Sequence, residues 1–228
     1  MTEVRTGEKL KDDALRENLI LFQEVRHRVA NSLQIIASVL LQSARKVQSE
    51  ETRSHLHDAH NRVMSIATVQ RQLAVTHQDT VELGPYFTQL CDSLGASMIQ
   101  DHKHQSIEVR VDSSAVGGDV SVSLGLIVTE LVINALKHAF PEGRPGKIVV
   151  GYQSHGPNWT LSVADNGVGM PPDSAKTTPG LGTSIIEALA KQLHARVKVA
   201  DGKPGTEVSV IHSHIAAVAD DAAVERAV

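Results

Sequence analysis

Residues 24–34 read EVRHRVANSLQ and lie inside a long amphipathic helical pattern. Apolar residues recur there in three- and four-residue steps, the spacing of one buried stripe on a helix. The stripe comprises Leu15, Leu19, Phe22, Val25, Val29, Leu33, Ile36 and Leu40. At about 100° per residue, His27 lies roughly 200° from Val25 and Val29. We therefore expect the His27 imidazole to point away from the packed seam, toward solvent or a partner.

The helical pattern extends on both sides of this stretch. Residues 8–46 contain neither proline nor glycine, and a helix of that length would measure about 60 Å. A break near residues 47–52 is followed by a second stripe at helical spacing, which runs from Leu56 to Leu73. Two such helices predict an antiparallel hairpin, and its remaining apolar surface favours pairing with a second copy into a dimeric four-helix bundle.

The composition changes near residues 76–84, where the helical pattern ends in polar residues and a Gly-Pro pair. Beyond this point the patterns predict helices at 86–100, 120–140 and 181–193, and strands at 107–111, 147–153, 159–165, 196–200 and 206–211. Helices mixed with mostly adjacent strands predict an α+β two-layer sandwich. The expected organisation is a helical hairpin at 1–78, the sandwich domain at 79–214 and a tail at 215–228.

Charge and cysteine content narrow the classes of function. The formal net charge is -4 and the sequence pI is about 6.3, so the chain has no basic field for nucleic acid. The single cysteine, Cys91, cannot form an internal disulfide and fits a reducing compartment. The sequence shows neither the apolar run of a signal peptide nor an uninterrupted apolar segment long enough to cross a bilayer. We therefore expect a soluble cytoplasmic protein.

Polar residues follow one face of the helix predicted at 120–140. Glu130, Asn134 and Lys137 are four and three residues apart, so they share that face over roughly 10 Å. Carboxylate and amide oxygens suit a hard cation, and an ammonium suits phosphate oxygens. The face therefore predicts either a magnesium-phosphate site or the ordinary polar stripe of an amphipathic helix.

The strand predicted at 159–165 ends in a carboxylate. Trp159, Leu161, Val163 and Asp165 have the same parity and point to one face of the sheet. A carboxylate that continues an apolar series is costly to bury without a donor, and the exocyclic amine of adenine is such a donor. We expect Asp165 to contact a ligand.

Two glycine pairs follow this strand. Gly167 and Gly169 allow the backbone to bend and to approach a ligand closely. Gly180 and Gly182 open the last predicted helix, where free amides and the helix dipole favour phosphate. One such pair alone usually marks a turn, whereas two pairs after Asp165 favour a nucleotide site.

These motifs together resemble a known family. TELVINALKHAF at 129–140, DNGVGM at 165–170, GLG at 180–182 and GT at 205–206 resemble the ATP-binding domain shared by histidine kinases, Hsp90 and gyrase-type ATPases. EVRHRVANSLQ resembles the phosphoacceptor box E-x-H-H-R-V-K-N-N-L-Q of one histidine kinase subfamily. The chain departs from that box at Arg26 and Ala30, and Thr183 stands where a leucine is common.

The resemblance implies a role for each matched residue. His27 matches the phosphorylated histidine, with Glu24 and Asn31 as its catalytic neighbours. Asn134, with Glu130, would hold Mg²⁺, and Asp165 would read adenine. The implied nucleotide contacts are Glu130, Asn134, Lys137, His138, Asp165, Gly167, Gly169, Gly180, Leu181, Gly182 and Thr206. The glycines would frame a mobile lid at about 168–179.

The function implied is that of a two-component signalling histidine kinase. Such an enzyme uses ATP and Mg²⁺ to phosphorylate its own histidine, here His27, and passes the phosphoryl group to an aspartate of a response regulator receiver domain. Two alternatives stay open: a histidine phosphotransferase of the same architecture without ATPase activity, and an ATP-binding regulatory scaffold.

Overall fold

The computed structural model describes the backbone of residues 2–75, 80–99, 102, 104–170 and 180–213. Within these ranges it describes side chains from residue 21 onward, except those of residues 22, 72 and 75. The predicted tail at 215–228 and residues 171–179 of the predicted lid lie outside the described residues.

Five helices and seven strands are described. The helices are α1 (Thr2–Lys46), α2 (Glu50–Val75), α3 (Leu83–Met98), α4 (Gly118–His138) and α5 (Leu181–Gln192), with a 3₁₀ turn at Pro141–Gly143. The strands are β1 (Thr80–Glu82), β2 (Gln105–Val111), β3 (Ala115–Gly117), β4 (Gly146–His155), β5 (Asn158–Asp165), β6 (Ala195–Asp201) and β7 (Thr206–His212).

Helices α1 and α2 form the predicted antiparallel hairpin. Arg53 closes its loop by donating from Nη2 to the Val47 carbonyl at 3.0 Å, and further along the seam His60 Nδ1 donates to the Ala37 carbonyl at 2.9 Å. Arg26 Nη1 donates to the Leu73 carbonyl at 3.1 Å, so the end of α2 lies beside the middle of α1, next to His27.

The buried face of α1 differs from the predicted stripe. Val25, Val29 and Ile36 are 56%, 41% and 48% exposed in the single chain, so the expectation that they are buried there is wrong. The face against α2 is lined by small residues instead, since Ala30, Ala37 and Ala44 are at most 2% exposed. Alanines allow two helices to approach closely, which leaves the larger aliphatic side chains on the outer rim.

Residues beyond the hairpin form the predicted two-layer sandwich domain. Its five-stranded sheet has the order β2-β4-β5-β7-β6; β2 and β4 are parallel and the other neighbours are antiparallel. Helices α3, α4 and α5 pack on this sheet. The short antiparallel pair β1 and β3, with Val81 opposite Val116, was not predicted, because three-residue strands carry too little periodicity.

Helix α4 is the central core helix of the sandwich. It ends at His138, two residues before the predicted end, and Pro141 and Gly143 follow in the 3₁₀ turn. By length and composition alone it is apolar enough to cross a membrane, but 67% of its apolar window is buried inside the fold, as in a core helix. No other helix among the described residues has that length and hydropathy.

Helix α4 also packs against α2, and the two helices run in opposite directions. Leu73, near the end of α2, borders Gly118 at the start of α4, whereas Asp58 bonds Lys137 near the end of α4. This packing fixes the position of the sandwich on the hairpin.

Candidate functional site

A cavity of about 690 Å³ opens between α4, the end of β5, the loop after β5 and the start of α5. Seven of the residues predicted to contact a nucleotide line it: Asn134, His138, Asp165, Gly169, Gly180, Gly182 and Thr206. The cavity also has apolar walls that sequence reasoning missed, formed by Leu131, Ala135, Ala139, Val163, Val168, Met170 and Val208. The spacing of Leu131, Ala135 and Ala139 beside Asn134 and His138 was a usable signal, because residues four apart share a helix face. A cavity with apolar walls and a few polar groups suits an aromatic base.

Asp165 lies on the cavity wall at the last position of β5. Its Oδ1 accepts hydrogen bonds from the backbone amides of Gly167 at 2.9 Å and Thr206 at 3.3 Å. These two bonds fix the side-chain rotamer. Its Oδ2 accepts no hydrogen bond from the residues that the structure describes, so this oxygen is available to a donor in the cavity.

Two glycines are required by close backbone approaches around this carboxylate. Gly205 has a φ of +93°, and a Cβ there would collide with the backbone carbonyl of Asp165. At the start of α5, a Cβ on Gly182 would lie 2.6 Å from Glu130 Oε2 and 3.7 Å from Asn134 Oδ1. The first turn of α5 therefore lies directly against the polar residues of α4.

Glu130 and Lys137 do not line the cavity, because α2 engages both. Glu130 is 1% exposed; Arg62 donates to its Oε1 from Nε and to its Oε2 from Nη2, the latter at 2.9 Å. Lys137 Nζ donates to both carboxylate oxygens of Asp58 at 2.7 Å and to Ser54 Oγ at 3.0 Å. The hydrogen bond to Glu130 raises the pKa of the Arg62 guanidinium above its ordinary value, despite desolvation by burial. The structure thus brings Glu130 close to Asn134 but places Lys137 on the hairpin contact.

Two other predicted residues also lie outside the main cavity. Gly167 lines an adjoining cavity of about 430 Å³, together with Gly169 and Thr206. The Leu181 side chain is 66% exposed and lines neither cavity.

The predicted phosphoacceptor residues lie on the hairpin. His27, Glu24 and Asn31 are all exposed on α1, as expected for His27. Glu24 Oε1 accepts hydrogen bonds from Arg28 Nε at 3.1 Å and Nη2 at 2.5 Å. Among the described residues, no hydrogen bond joins Glu24 to His27, so the carboxylate faces Arg28 one turn further on.

Two family models match the chain in succession. The model described as "Histidine kinase" matches residues 24–98, and the one described as "Histidine kinase-, DNA gyrase B-, and HSP90-like ATPase" matches residues 119–215. The chain belongs to the histidine kinases. The first model runs from within α1, including His27, to the end of α3. The second runs from α4 to the last strand and includes every residue that lines the main cavity.

Curated relatives carry the same family name. The chain is 28% identical over 207 residues to sensor histidine kinase PdtaS of Mycobacterium tuberculosis, covering 89% of this chain and 41% of the relative. It is 28% identical over 218 residues to blue-light-activated histidine kinase 2 of Erythrobacter litoralis, covering 91% of this chain and 61% of the relative. The chain thus spans less than two thirds of the length of these relatives.

A solved structure supports the fold. The histidine kinase domain from the Erythrobacter litoralis EL346 blue-light activated histidine kinase superposes with a TM-score of 0.62, at 21% identity, over 79% of this chain and 94% of that chain. A helical hairpin followed by an α/β ATPase domain is therefore the architecture of this histidine kinase.

Proposed function

We propose that the chain is the kinase core of a two-component sensor. It binds ATP in the 690 Å³ cavity, phosphorylates His27 and passes the phosphoryl group to an aspartate of a response regulator. The observation that carries this proposal is the Asp165 carboxylate, held by two backbone amides on an apolar cavity wall with Oδ2 left to a donor. An intact cavity of this kind disfavours the phosphotransferase without ATPase activity.

Asp165 is the residue that selects adenine in this proposal. A carboxylate oxygen accepts from the exocyclic amine of adenine but repels the carbonyl oxygen that guanine carries at the same position. Leu131, Ala135 and Val163 line the same cavity and provide apolar contacts to the ring. The phosphates then lie toward Gly180 and Gly182, at the open amides of the α5 amino terminus.

Asn134 and Glu130 fit Mg²⁺ by their chemistry. Mg²⁺ prefers oxygen ligands, and the Asn134 amide oxygen and Glu130 Oε2 both border Gly182. When bound, Mg²⁺ neutralises charge that develops on the phosphates during transfer. Lys137 contributes a positive charge to the same phosphates once it has left Asp58.

His27 acts as the nucleophile through an imidazole nitrogen. It is exposed on α1 and thus accessible both to a nucleotide and to a second protein. Glu24 orients the imidazole after exchanging its hydrogen bonds from Arg28 to His27. The exchange costs little, because an exposed ion pair of this kind contributes about 0–1 kcal/mol. Asn31, one turn after His27, contacts the incoming nucleotide or the receiver domain.

The remaining partners follow from the exposed surfaces of α1. A receiver domain of a response regulator docks on α1 around His27 and Asn31. The outer aliphatic residues of α1 pair with a second copy of the hairpin, which makes a dimer. The single cysteine and the acidic balance support a cytoplasmic location for this kinase core.

The nucleotide site is tested by isothermal titration calorimetry with ATP and GTP. Asp165→Ala is expected to weaken ATP binding by about 1.5–3 kcal/mol, the contribution of one charge-assisted hydrogen bond. Asn134→Ala is expected to reduce only the magnesium-dependent part of the affinity. Asp92→Ala, on the exposed surface of α3, is the matched control. Equal binding of GTP and ATP by the unchanged protein would refute the role of Asp165.

The partner is tested with labelled protein purified away from ATP. Receiver domains from the same genome are added one at a time, and the cognate receiver is expected to remove the label within minutes. Asn31→Ala is expected to slow this transfer more than it slows autophosphorylation. If no receiver removes the label faster than spontaneous hydrolysis, the signalling half of the proposal is wrong.

A further inference from the structure

The sandwich domain, which contains the proposed ATP cavity, is called the ATP lobe. Helix α2 of the hairpin holds this lobe by two charged contacts. Arg62 of α2 occupies both carboxylate oxygens of Glu130. Asp58 and Ser54, one and two turns earlier on α2, accept hydrogen bonds from the Lys137 ammonium. The Glu130 carboxylate is 2% exposed, so the Arg62–Glu130 contact is shielded from solvent. Asp58 is 14% and Lys137 28% exposed, so their contact is only partly shielded.

Both lobe residues are also those proposed to serve Mg²⁺·ATP. Arg62 donates a hydrogen bond to each Glu130 oxygen, which makes this carboxylate a weaker ligand for Mg²⁺. A guanidinium cation at hydrogen-bond distance also repels a dication brought to the same carboxylate. In the same way, Lys137 cannot reach phosphate oxygens while it donates to Asp58 and Ser54.

The position of the lobe along the hairpin adds a second constraint. The cavity end of α4 lies beside residues 54–62 of α2, through Lys137 and Glu130. The phosphoacceptor end of α1 lies beside Leu73, through Arg26. The 15 residues from Asp58 to Leu73 correspond to about 22 Å along a helix. Transfer to His27 of the same chain therefore requires the lobe to leave this position on α2.

We propose that α2 and Mg²⁺·ATP compete for Glu130 and Lys137, so that loading with nucleotide releases the lobe from the hairpin. Arg62 and Asp58 are positioning residues that hold the nucleotide-free lobe away from His27. This inference rests on the proposed Mg²⁺·ATP site. Because coupling between two binding equilibria is reciprocal, weakening the hairpin contact must strengthen nucleotide binding.

The test measures Mg²⁺·ATP affinity in the full chain by calorimetry, for Arg62→Gln, for Asp58→Asn and for the control Arg71→Gln. Arg71 is exposed on α2 and makes no ion pair in the part of the chain that the structure describes. Typical coupling between sites is about 5- to 150-fold. Arg62→Gln is therefore expected to lower the dissociation constant at least fivefold, Asp58→Asn about twofold or more, and Arg71→Gln not at all. Without Mg²⁺, the gain from Arg62→Gln is expected to shrink.

The outcomes separate this inference from the proposed function. Unchanged or weaker Mg²⁺·ATP binding in both α2 variants, with normal binding in the unchanged protein, would overturn the competition alone. No binding in any of the proteins would overturn the proposed function and the competition with it. Arg62→Gln leaves Glu130 buried without its charged partner, so Asp58→Asn provides the answer if the first variant does not fold. Neither substitution lies in the ATP lobe, so tighter binding cannot arise from damage to the cavity.

Discussion

The hairpin and the ATP lobe bury apolar side chains in opposite ways. In the lobe, large aliphatic and aromatic residues such as Phe87, Ile127 and Leu161 are fully buried, whereas the seam of the hairpin is closed by alanines. The aliphatic residues of α1 remain outside, with Ile35 66% and Val39 55% exposed. The core of the lobe is thus built from large side chains, with Val69 and Leu73 of α2 added to it, whereas the outer face of α1 leaves apolar side chains exposed in the single chain.

The same contrast appears in the polar groups. Polar residues of the lobe are fixed by the fold, as Asp165 is by two backbone amides. On the exposed part of α1, by contrast, the side chains of Glu24 and Arg28 bond each other across one helical turn. The proposed nucleotide site thus lies in the lobe and is preorganised. The proposed acceptor surface lies on the hairpin and is accessible and easily rearranged.

The largest expected effect comes from placing a charge on the apolar rim of the hairpin. In the proposed dimer, Val39→Lys buries one ammonium per chain at the interface. The two substitutions together should cost on the order of 4 kcal/mol, which raises the dimer dissociation constant about a thousandfold. Sedimentation at graded protein concentrations measures this change.

Gln89→Lys is the control for the added charge, because Gln89 is exposed on α3 and lies outside α1. It is expected to leave the dissociation constant almost unchanged. Equal effects of the two substitutions would mean that the outer aliphatic residues do not form the interface.

A cavity in the lobe core should have the next largest effect. Leu161 is 0% exposed, so Leu161→Ala is expected to lower the free energy of unfolding by about 2–5 kcal/mol. Urea denaturation measures the loss, and Thr160→Ala, on the opposite face of β5, is the control. Dimerisation should not change in either variant. A loss of less than about 1 kcal/mol for Leu161→Ala would contradict tight packing of the core around this side chain.

The smallest effect concerns one hydroxyl in that core. The Tyr86 hydroxyl is buried against Gly125 and has no hydrogen-bond partner among the described residues. Burial raises the pKa of the phenol above its ordinary value. Since Tyr86→Phe removes an unpaired polar group, the free energy of unfolding is expected to stay the same or to rise by up to about 1 kcal/mol. A clear loss in urea denaturation would indicate that the hydroxyl has a partner.

Local patterns in the sequence predicted most of the fold and of the cavity. Pro141 and Gly143 predict the carboxyl-terminal end of α4. The alternation through Leu161 and Val163 predicts a strand that ends at Asp165. Gly180 and Gly182 predict the start of α5. In each case the signal lies within about a dozen residues, which is the range over which periodicity and turn chemistry act.

The contacts between the two regions were beyond these patterns. Arg62 and Glu130 are 68 residues apart, and Lys137 and Asp58 are 79 apart. A charged residue on a helix gives no sign of its distant partner, so the sequence indicated ligand contacts or an ordinary polar stripe for Glu130 and Lys137, but not the contact with α2. The buried side of α1 was misjudged for a related reason: helical spacing locates an apolar stripe but does not tell which partner covers it.

Phosphoryl transfer to His27 is the central step of the proposed function, and one labelling experiment tests this step. The unchanged protein, His27→Ala and His55→Ala are incubated with γ-labelled ATP and Mg²⁺, and the protein-bound label is then treated with acid and with base. His55 is an exposed histidine on α2, with a side chain that is 70% accessible. If His27 is the phosphorylated residue, the unchanged protein and His55→Ala carry an acid-labile, base-stable label, and His27→Ala carries none. Persistence of the label in His27→Ala would contradict this role of His27.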